Sequence, residues 1–296
     1  MLKFPYICLM LKGTLFYELY QLIGYWKKTK SRTTMQEVLS EKVYYGEHSS
    51  QYLIIYSPRQ VDPEKPLIIY YHGGGWIFGN PDLFVKKASL FTSLGYQVIM
   101  PCYRKVPIFH ADHILEDVKL MLGTVKELAE QKKISTLDKI ILGGVSAGAN
   151  LVALIYFQNQ LREKAGFTQD QFCGMFLYAP PLDLSKMKST PVLYRFAGSK
   201  DSERFRRASP ILHIKDSLPI PILCIHGKLD ALVQFDASQT FRSQYEELHP
   251  GFLEYVTLED ASHIDAASWA HTDDDLRKGL VQWLDKVSKG SFISPQ

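Results

Sequence analysis

The stretch KIILGGVSAGANLVALIYF (residues 139–157) changes character at its centre. An apolar, β-rich run ends at Ser146, and helix-forming residues follow at once. Gly144-Val145-Ser146-Ala147-Gly148 reads G-x-S-x-G at a strand-to-helix junction. A serine there sits on a sharp, strained turn that pushes its hydroxyl out of the sheet, so small residues are needed two positions to either side. As a bare string the pattern is weak, because glycine and serine are common. The strand directly before it and the helix directly after it give it weight. Ser146 is the candidate nucleophile.

The same alternation extends outward. Residues 51–58, 66–72, 96–104, 173–180, 221–227 and 252–260 are further β-rich runs. Residues 111–131 read as an amphipathic helix with Ile114, Val118, Met121, Val125 and Leu128 on one face. Other helices are expected near 84–93, between the last two strands, and over about 273–287. Uniformly apolar strands alternating with helices predict an α/β fold, a mostly parallel sheet covered on both faces. Residues 1–40 stand apart as a helical extension, and 41–296 form one domain. Within it, about 181–216 breaks the rhythm as an irregular insertion, the length of a small cap or binding loop.

A serine hydroxyl needs a base, and the base needs an orienting acid. In open parallel sheets reactive groups gather beyond the carboxyl ends of the strands. His263 follows the 252–260 strand by a short loop, as a base should. His249 lies at that strand's opposite end, His271 belongs to the entry of the next helix, and His226 is inside a strand, where a satisfied core role is favoured. Asp230 ends a strand in HGKLDALV (residues 226–233) and is the favoured acid; Asp183 in PPLD is the runner-up.

Attack at a carbonyl also builds negative charge on oxygen, which fixed N–H donors stabilise by about 3–4 kcal/mol each. YYHGGGWIFGN (residues 70–80) follows a strand with three bare peptide groups in a row. Gly74 and Gly75 are candidate oxyanion donors, with Ala147, next after the serine, as a third. His72 is expected to shape this loop. Trp76, Phe78, Tyr70 and Tyr71 are candidates to line an apolar substrate pocket, with a packing role the equal alternative.

Composition narrows the classes. A net charge of +3 with interspersed acids and bases, and no basic stripe, argues against a nucleic-acid partner. The four cysteines (Cys8, Cys102, Cys173, Cys224) form no C-x-x-C pair, so neither a disulfide framework nor a zinc site is expected, and reduced thiols point to the cytoplasm. His110, His113 and Asp117 fall at i, i+3, i+7, but capping and charged roles at a helix entry are favoured over a metal site. Ser185 and Lys188 match S-x-x-K without its partner motifs. Residues 4–26 are largely apolar, interrupted by Lys12, Glu18 and Gln21, and KKTKSR follows. A soluble cap or docking helix, a peripheral membrane helix and a membrane span all stay open, in that order.

HGGGW, YRKVPIFHADHILEDV (residues 103–118), SAGANL, HGKLD and SH occur here in the order found in one family. Over residues 42–286 the chain resembles the α/β-hydrolase fold, specifically the hormone-sensitive-lipase-like and small carboxylesterase group. That resemblance implies carboxylic ester hydrolysis without a cofactor, on a small-molecule ester, through Ser146, Asp230 and His263. It also supports Gly74, Gly75 and Ala147 as the oxyanion hole. Val145 stands where the family often has an acidic residue, Gly148-Ala149 where it often has Gly-Gly, and Cys102 where it usually has Asp or Ser. These departures leave the subgroup and its substrate open. Short- to medium-chain esters are the expected substrates, with amide or formamide cleavage, a peptidase, and a non-catalytic receptor on the same fold as alternatives.

Overall fold

Between Leu67 and Tyr71 all five side chains are buried: Leu67, Ile69 and Tyr71 in one apolar cluster, Ile68 and Tyr70 in another. A strand with no polar face has to be covered on both sides, and the rest of the molecule follows from that. The computed structural model describes residues 11–30, 39–268 and 275–291. Strands β1 (Leu39–Tyr44), β2 (Tyr52–Ser57), β3 (Leu67–Tyr71), β4 (Val98–Pro101), β5 (Ile140–Val145), β6 (Phe172–Tyr178), β7 (Ile222–Gly227) and β8 (Leu253–Leu258) form one sheet. Their order is β1-β2-β4-β3-β5-β6-β7-β8. β2 is antiparallel to both neighbours and every other pairing is parallel.

The helices are α1 (Leu15–Lys30), α2 (Val85–Ser93), α3 (Ala111–Glu130), α4 (Ala147–Phe157), α5 (Asn159–Lys164), α6 (Pro191–Ala197), α7 (Glu203–Ala208), α8 (Asp236–Leu248), α9 (His263–Ala267) and α10 (Asp275–Ser288). On one face of the sheet, Val118, Met121 and Val125 of α3 pack with Leu151 and Leu154 of α4 and Phe241 of α8. On the other, Phe91 of α2 and Trp283 of α10 both pack against Phe176 of β6, in a cluster that includes Leu284. Each such side chain stabilises the fold by about 1.5–3 kcal/mol on burial. All eleven residues of α4 are buried, which holds the residue before it rigidly against the sheet.

Three features depart from the sequence reading. β1 carries no apolar run, because it is an antiparallel edge strand with nearly every residue exposed. The 181–216 insertion is not irregular. It holds α6, capped by Thr190, whose Oγ1 accepts the Leu193 N–H at 3.1 Å, and α7, capped by Ser202, which accepts the Phe205 N–H at 3.2 Å. Helices of two turns or fewer show too few residues for a periodicity to register. Finally, α1 turns Glu18, Leu22 and Tyr25, spaced i, i+4, i+7, toward the body of the protein. Thr14 starts it, accepting the Tyr17 N–H at 3.3 Å. Among the described residues no helix is long and apolar enough to cross a membrane; residues 4–10 of the apolar stretch lie outside them.

Candidate active site

Ser146 occupies the turn between β5 and α4 at φ 54°, ψ −124°, a left-handed conformation that costs a non-glycine residue about 1–3 kcal/mol. The surroundings over-determine it. Its N–H donates to Tyr178 O at 2.8 Å on the neighbouring strand, and its carbonyl accepts the Asn150 N–H at 3.2 Å. A Cβ on Gly148 would lie 2.2 Å from Tyr71 O, so only glycine lets the start of α4 cross the end of β3 this closely.

The glycine loop lies alongside. A Cβ on Gly73 would sit 3.4 Å from the Cβ of Ser146. Gly74 has φ +133°, and its carbonyl accepts the N–H groups of both Ile77 and Phe78, a fold that leaves no room for a side chain. Among the described residues no protein hydrogen bond engages the N–H of Gly74, Gly75 or Ala147, so all three are free for a ligand oxygen. Trp76 is itself at φ 59° and is held there by stacking on Phe196 of α6, ring centroids 4.1 Å apart. His72 Nδ1–H donates to Gly73 O at 2.8 Å, with the ring stacked between Phe84 and Tyr103. Burial, then the Lys105 ammonium, hold its imidazole well below the ordinary histidine range, so it stays neutral and shapes the loop.

Asp230 and His263 meet at the ends of β7 and β8. His263 Nδ1–H donates to Asp230 Oδ2 at 2.6 Å, and both side chains are buried. The other carboxylate oxygen, Oδ1, accepts the N–H groups of Leu232 and Val233 at 2.9 and 2.7 Å. Burial pushes the Asp230 carboxyl up, but the His263 charge and the bonds from His226 and His263 outweigh it, bringing it to about 2. Burial would lower His263; Asp230 overrides this by charge and hydrogen bond, with a smaller contribution from Glu18, and the imidazole is raised above its usual 6.5. Among the described residues no hydrogen bond joins Ser146 Oγ to His263. Such contacts commonly tighten only when substrate binds.

His226 is more than a satisfied core residue. Its Nε2–H donates to the same Asp230 Oδ2 at 3.0 Å, so Nδ1 accepts from Ser238 Oγ at 2.6 Å, and Ser238 Oγ lies 2.6 Å from the Tyr255 hydroxyl. Only its place one residue before a strand end, four before Asp230, hinted at this. His226→Ala should lower stability by about 1.5–3 kcal/mol from the charged bond alone, read from urea unfolding. An unchanged midpoint would show that the bond contributes nothing.

Ser146, His263, Trp76, Phe78 and the glycine loop line one cavity of about 300 Å³, roofed by Leu19 and Leu22 of α1 and walled by Val192 and Leu193 of α6. Tyr71 is a correction: it does not line this cavity, and its ring packs 6.0 Å from Tyr103 in the core. Strand alternation sends it to one face and Tyr70 to the other, where Tyr70 accepts from Lys87 Nζ. Asp183 Oδ1 is engaged by Ser185, and His249 Nε2 by Ser217 Oγ, neither near His263 by any bond. Asp117 is buried against Arg104 and Gln51. His271 lies outside the described residues.

Among known proteins, isoprenylcysteine alpha-carbonyl methylesterase ICME of Arabidopsis thaliana is 26% identical over 273 residues, 83% of this chain and 60% of that protein. Kynurenine formamidase of Danio rerio is 26% identical over 170 residues, 55% of this chain and 52% of that protein. The chain thus spans little more than half the length of these relatives. Among solved structures, esterase B from Lactobacillus Rhamnosis (HN001) superposes with a TM-score of 0.72 at 22% identity, covering 96% of both chains. A form of that esterase inhibited by a C4-C4 SN3 tributyrin phosphonate gives 0.73 at 21%. These likenesses are of fold, and the fold is that of the α/β-hydrolases. The BD-FAE family model matches residues 53–245, from β2 through most of α8 and including both glycine motifs, and the chain belongs to that family.

Proposed function

We propose that this protein is a serine carboxylic-ester hydrolase acting on short- to medium-chain esters. The observation behind the reading is the convergence on one apolar cavity of a strained Ser146, His263 of the buried 2.6 Å His263–Asp230 pair, and the unengaged N–H groups of Gly74 and Gly75, with the unengaged N–H of Ala147 next to Ser146. His263 Nε2 takes the Ser146 proton as Oγ attacks the ester carbonyl carbon. The carbonyl oxygen becomes an oxyanion held by the N–H groups of Gly74, Gly75 and Ala147, while Asp230 holds the imidazolium. Collapse breaks the bond to the alkoxy oxygen, which leaves as the alcohol with the proton from His263. Water, deprotonated by His263, then attacks the acyl-enzyme, and collapse releases the carboxylic acid and returns the proton to Ser146.

The size of the cavity supports the choice of substrate. About 300 Å³ is the lower end of the range for small-molecule sites, which suits a short or medium acyl group under the α1 roof. Trp76, which lines the cavity, would contact it. Amide or formamide cleavage is the second reading, favoured by the kynurenine formamidase similarity. The test is labelling by a fluorophosphonate, followed by turnover of p-nitrophenyl acetate, butyrate and decanoate beside an aryl formamide. Stoichiometric labelling at Ser146 with esters preferred is expected. No labelling would overturn the assignment, and a formamide preferred over every ester would select the second reading.

A further inference from the structure

Glu18 is fully buried yet has no part in the steps above. In an apolar helix it is the one carboxylate, and three backbone N–H groups converge on it. Oε1 accepts from His263 at 2.7 Å and from Ala231 at 3.3 Å, and Oε2 accepts from Ile264 at 3.2 Å. Two of these donors belong to the segment carrying the candidate base. The third is the residue after Asp230. A single side chain, some 245 residues from His263 in sequence, thus ties together the backbones of the two loops that must stay in register with Ser146.

The rest of α1 and the residues just before it are arranged around that contact. Lys12 Nζ lies 3.5 Å from Asp265 Oδ2, and Asp265 closes a capping box with Ser262 at the start of α9. Gly13 packs on Leu229, and Leu19 and Leu22 reach over the cavity. A buried carboxylate is expensive unless several donors satisfy it. Here the donors are the backbone of the acid and base loops, so docking of α1 and alignment of those loops are one event.

We propose that Glu18 is a positioning residue for catalysis: through it, α1 holds the His263 and Asp230 loops in the geometry that proton transfer from Ser146 requires. The proposal rests on the reading of Ser146, His263 and Asp230 as the catalytic set. The groups facing His263 are Asp230 from the loop after β7, Glu18 from α1 and Ser146 from the start of α4. Behind them stand His226, acting through Asp230, Asp265 paired with Lys12, and Lys87 of α2, which donates to Ala267 O at the far end of α9. Asp230 and Glu18 are the two negative charges that favour the imidazolium.

Two substitutions separate positioning from packing. Glu18→Gln keeps the size and one acceptor oxygen but removes the charge. The raised His263 value then falls, and since the base must be neutral to act, the acid limb of kcat/KM moves to lower pH. Glu18→Ala leaves three buried N–H groups without an acceptor. It should lower kcat by about tenfold to a hundredfold with KM little changed, the scale of a small misplacement of reacting groups. The His263 imidazole titration, followed by NMR in wild type and Glu18→Gln, reads the contact whether or not an ester turns over. A downward shift there with a matching shift of the acid limb supports the proposal. Wild-type kcat, acid limb and NMR titration in Glu18→Gln would overturn it, as would a fall in melting temperature alone in Glu18→Ala. If Glu18→Ala does not fold, Glu18→Gln decides. A wild-type protein that neither labels nor turns over would overturn the functional reading, and the NMR titration would still report whether Glu18 acts on His263.

Discussion

Ser146→Ala is expected to lower kcat by about 10⁶-fold, the scale seen when the nucleophile of a serine–histidine–acid set is removed, with KM nearly unchanged. The substitution deletes one oxygen and nothing else that the fold uses. The backbone of Ser146 keeps its bonds to Tyr178 and Asn150, and the alanine Cβ occupies the space the serine Cβ had. The residual rate should still exceed that of water, because the N–H groups of Gly74, Gly75 and Ala147 act on the oxyanion whether the attacker is serine or a water molecule. A companion substitution separates chemistry from strain. Ser146→Gly should lose as much activity but raise the melting temperature, since glycine has no Cβ to oppose φ 54°. Stopped-flow turnover and thermal melts of the two variants check this. Activity within tenfold of wild type in either one would remove Ser146 from the mechanism.

The parts legible in sequence are those whose signal is local. Ser146 announces itself because a strand, a sharp turn and a fully buried helix must be consecutive, and the flanking glycines answer steric demands, Gly148 from the β3 backbone and Gly144 from the first turn of α4. The pairing of Asp230 with His263 could be read because parallel strands deliver their carboxyl ends to one edge, and each residue lies a few positions past such an end. What could not be read depends on contacts between distant segments. Glu18 looks like a polar interruption of an apolar helix until His263, Ile264 and Ala231 are seen to donate to it. His226 looks like any strand histidine until the chain turns back at Asp230. Tyr71 stands next to the glycine loop in sequence, yet the pleat of β3 sends its ring into the core. The helices of the insertion are too short to show a period, and Phe196 matters because it lands on Trp76. β1 pairs only along an exposed edge, where no apolar face is required.

Asp230→Asn should be the next most damaging change, lowering kcat by about 10³–10⁴-fold. Both orientations of the new amide fail. With its oxygen on the side of Leu232 and Val233, which donate to Oδ1 at 2.9 and 2.7 Å, its NH₂ faces His263 Nδ1. That imidazole must then accept at Nδ1 and carry its proton on Nε2, the tautomer that cannot take the proton of Ser146. With the amide reversed, the NH₂ meets two N–H donors and both are left unsatisfied. The pH profile shows which effect dominates. In the wild type Asp230, at about 2, is ionised over the whole working range, so the acid limb of kcat/KM belongs to His263 and its midpoint lies above 6.5. In the variant the strongest partner raising that value is gone while burial still lowers it, so the limb moves to lower pH as the maximum collapses. Profiles of both proteins between about pH 4 and 9, using the same p-nitrophenyl ester, measure the two effects together. A variant within tenfold of wild type, with its acid limb in place, would show that the acid is elsewhere.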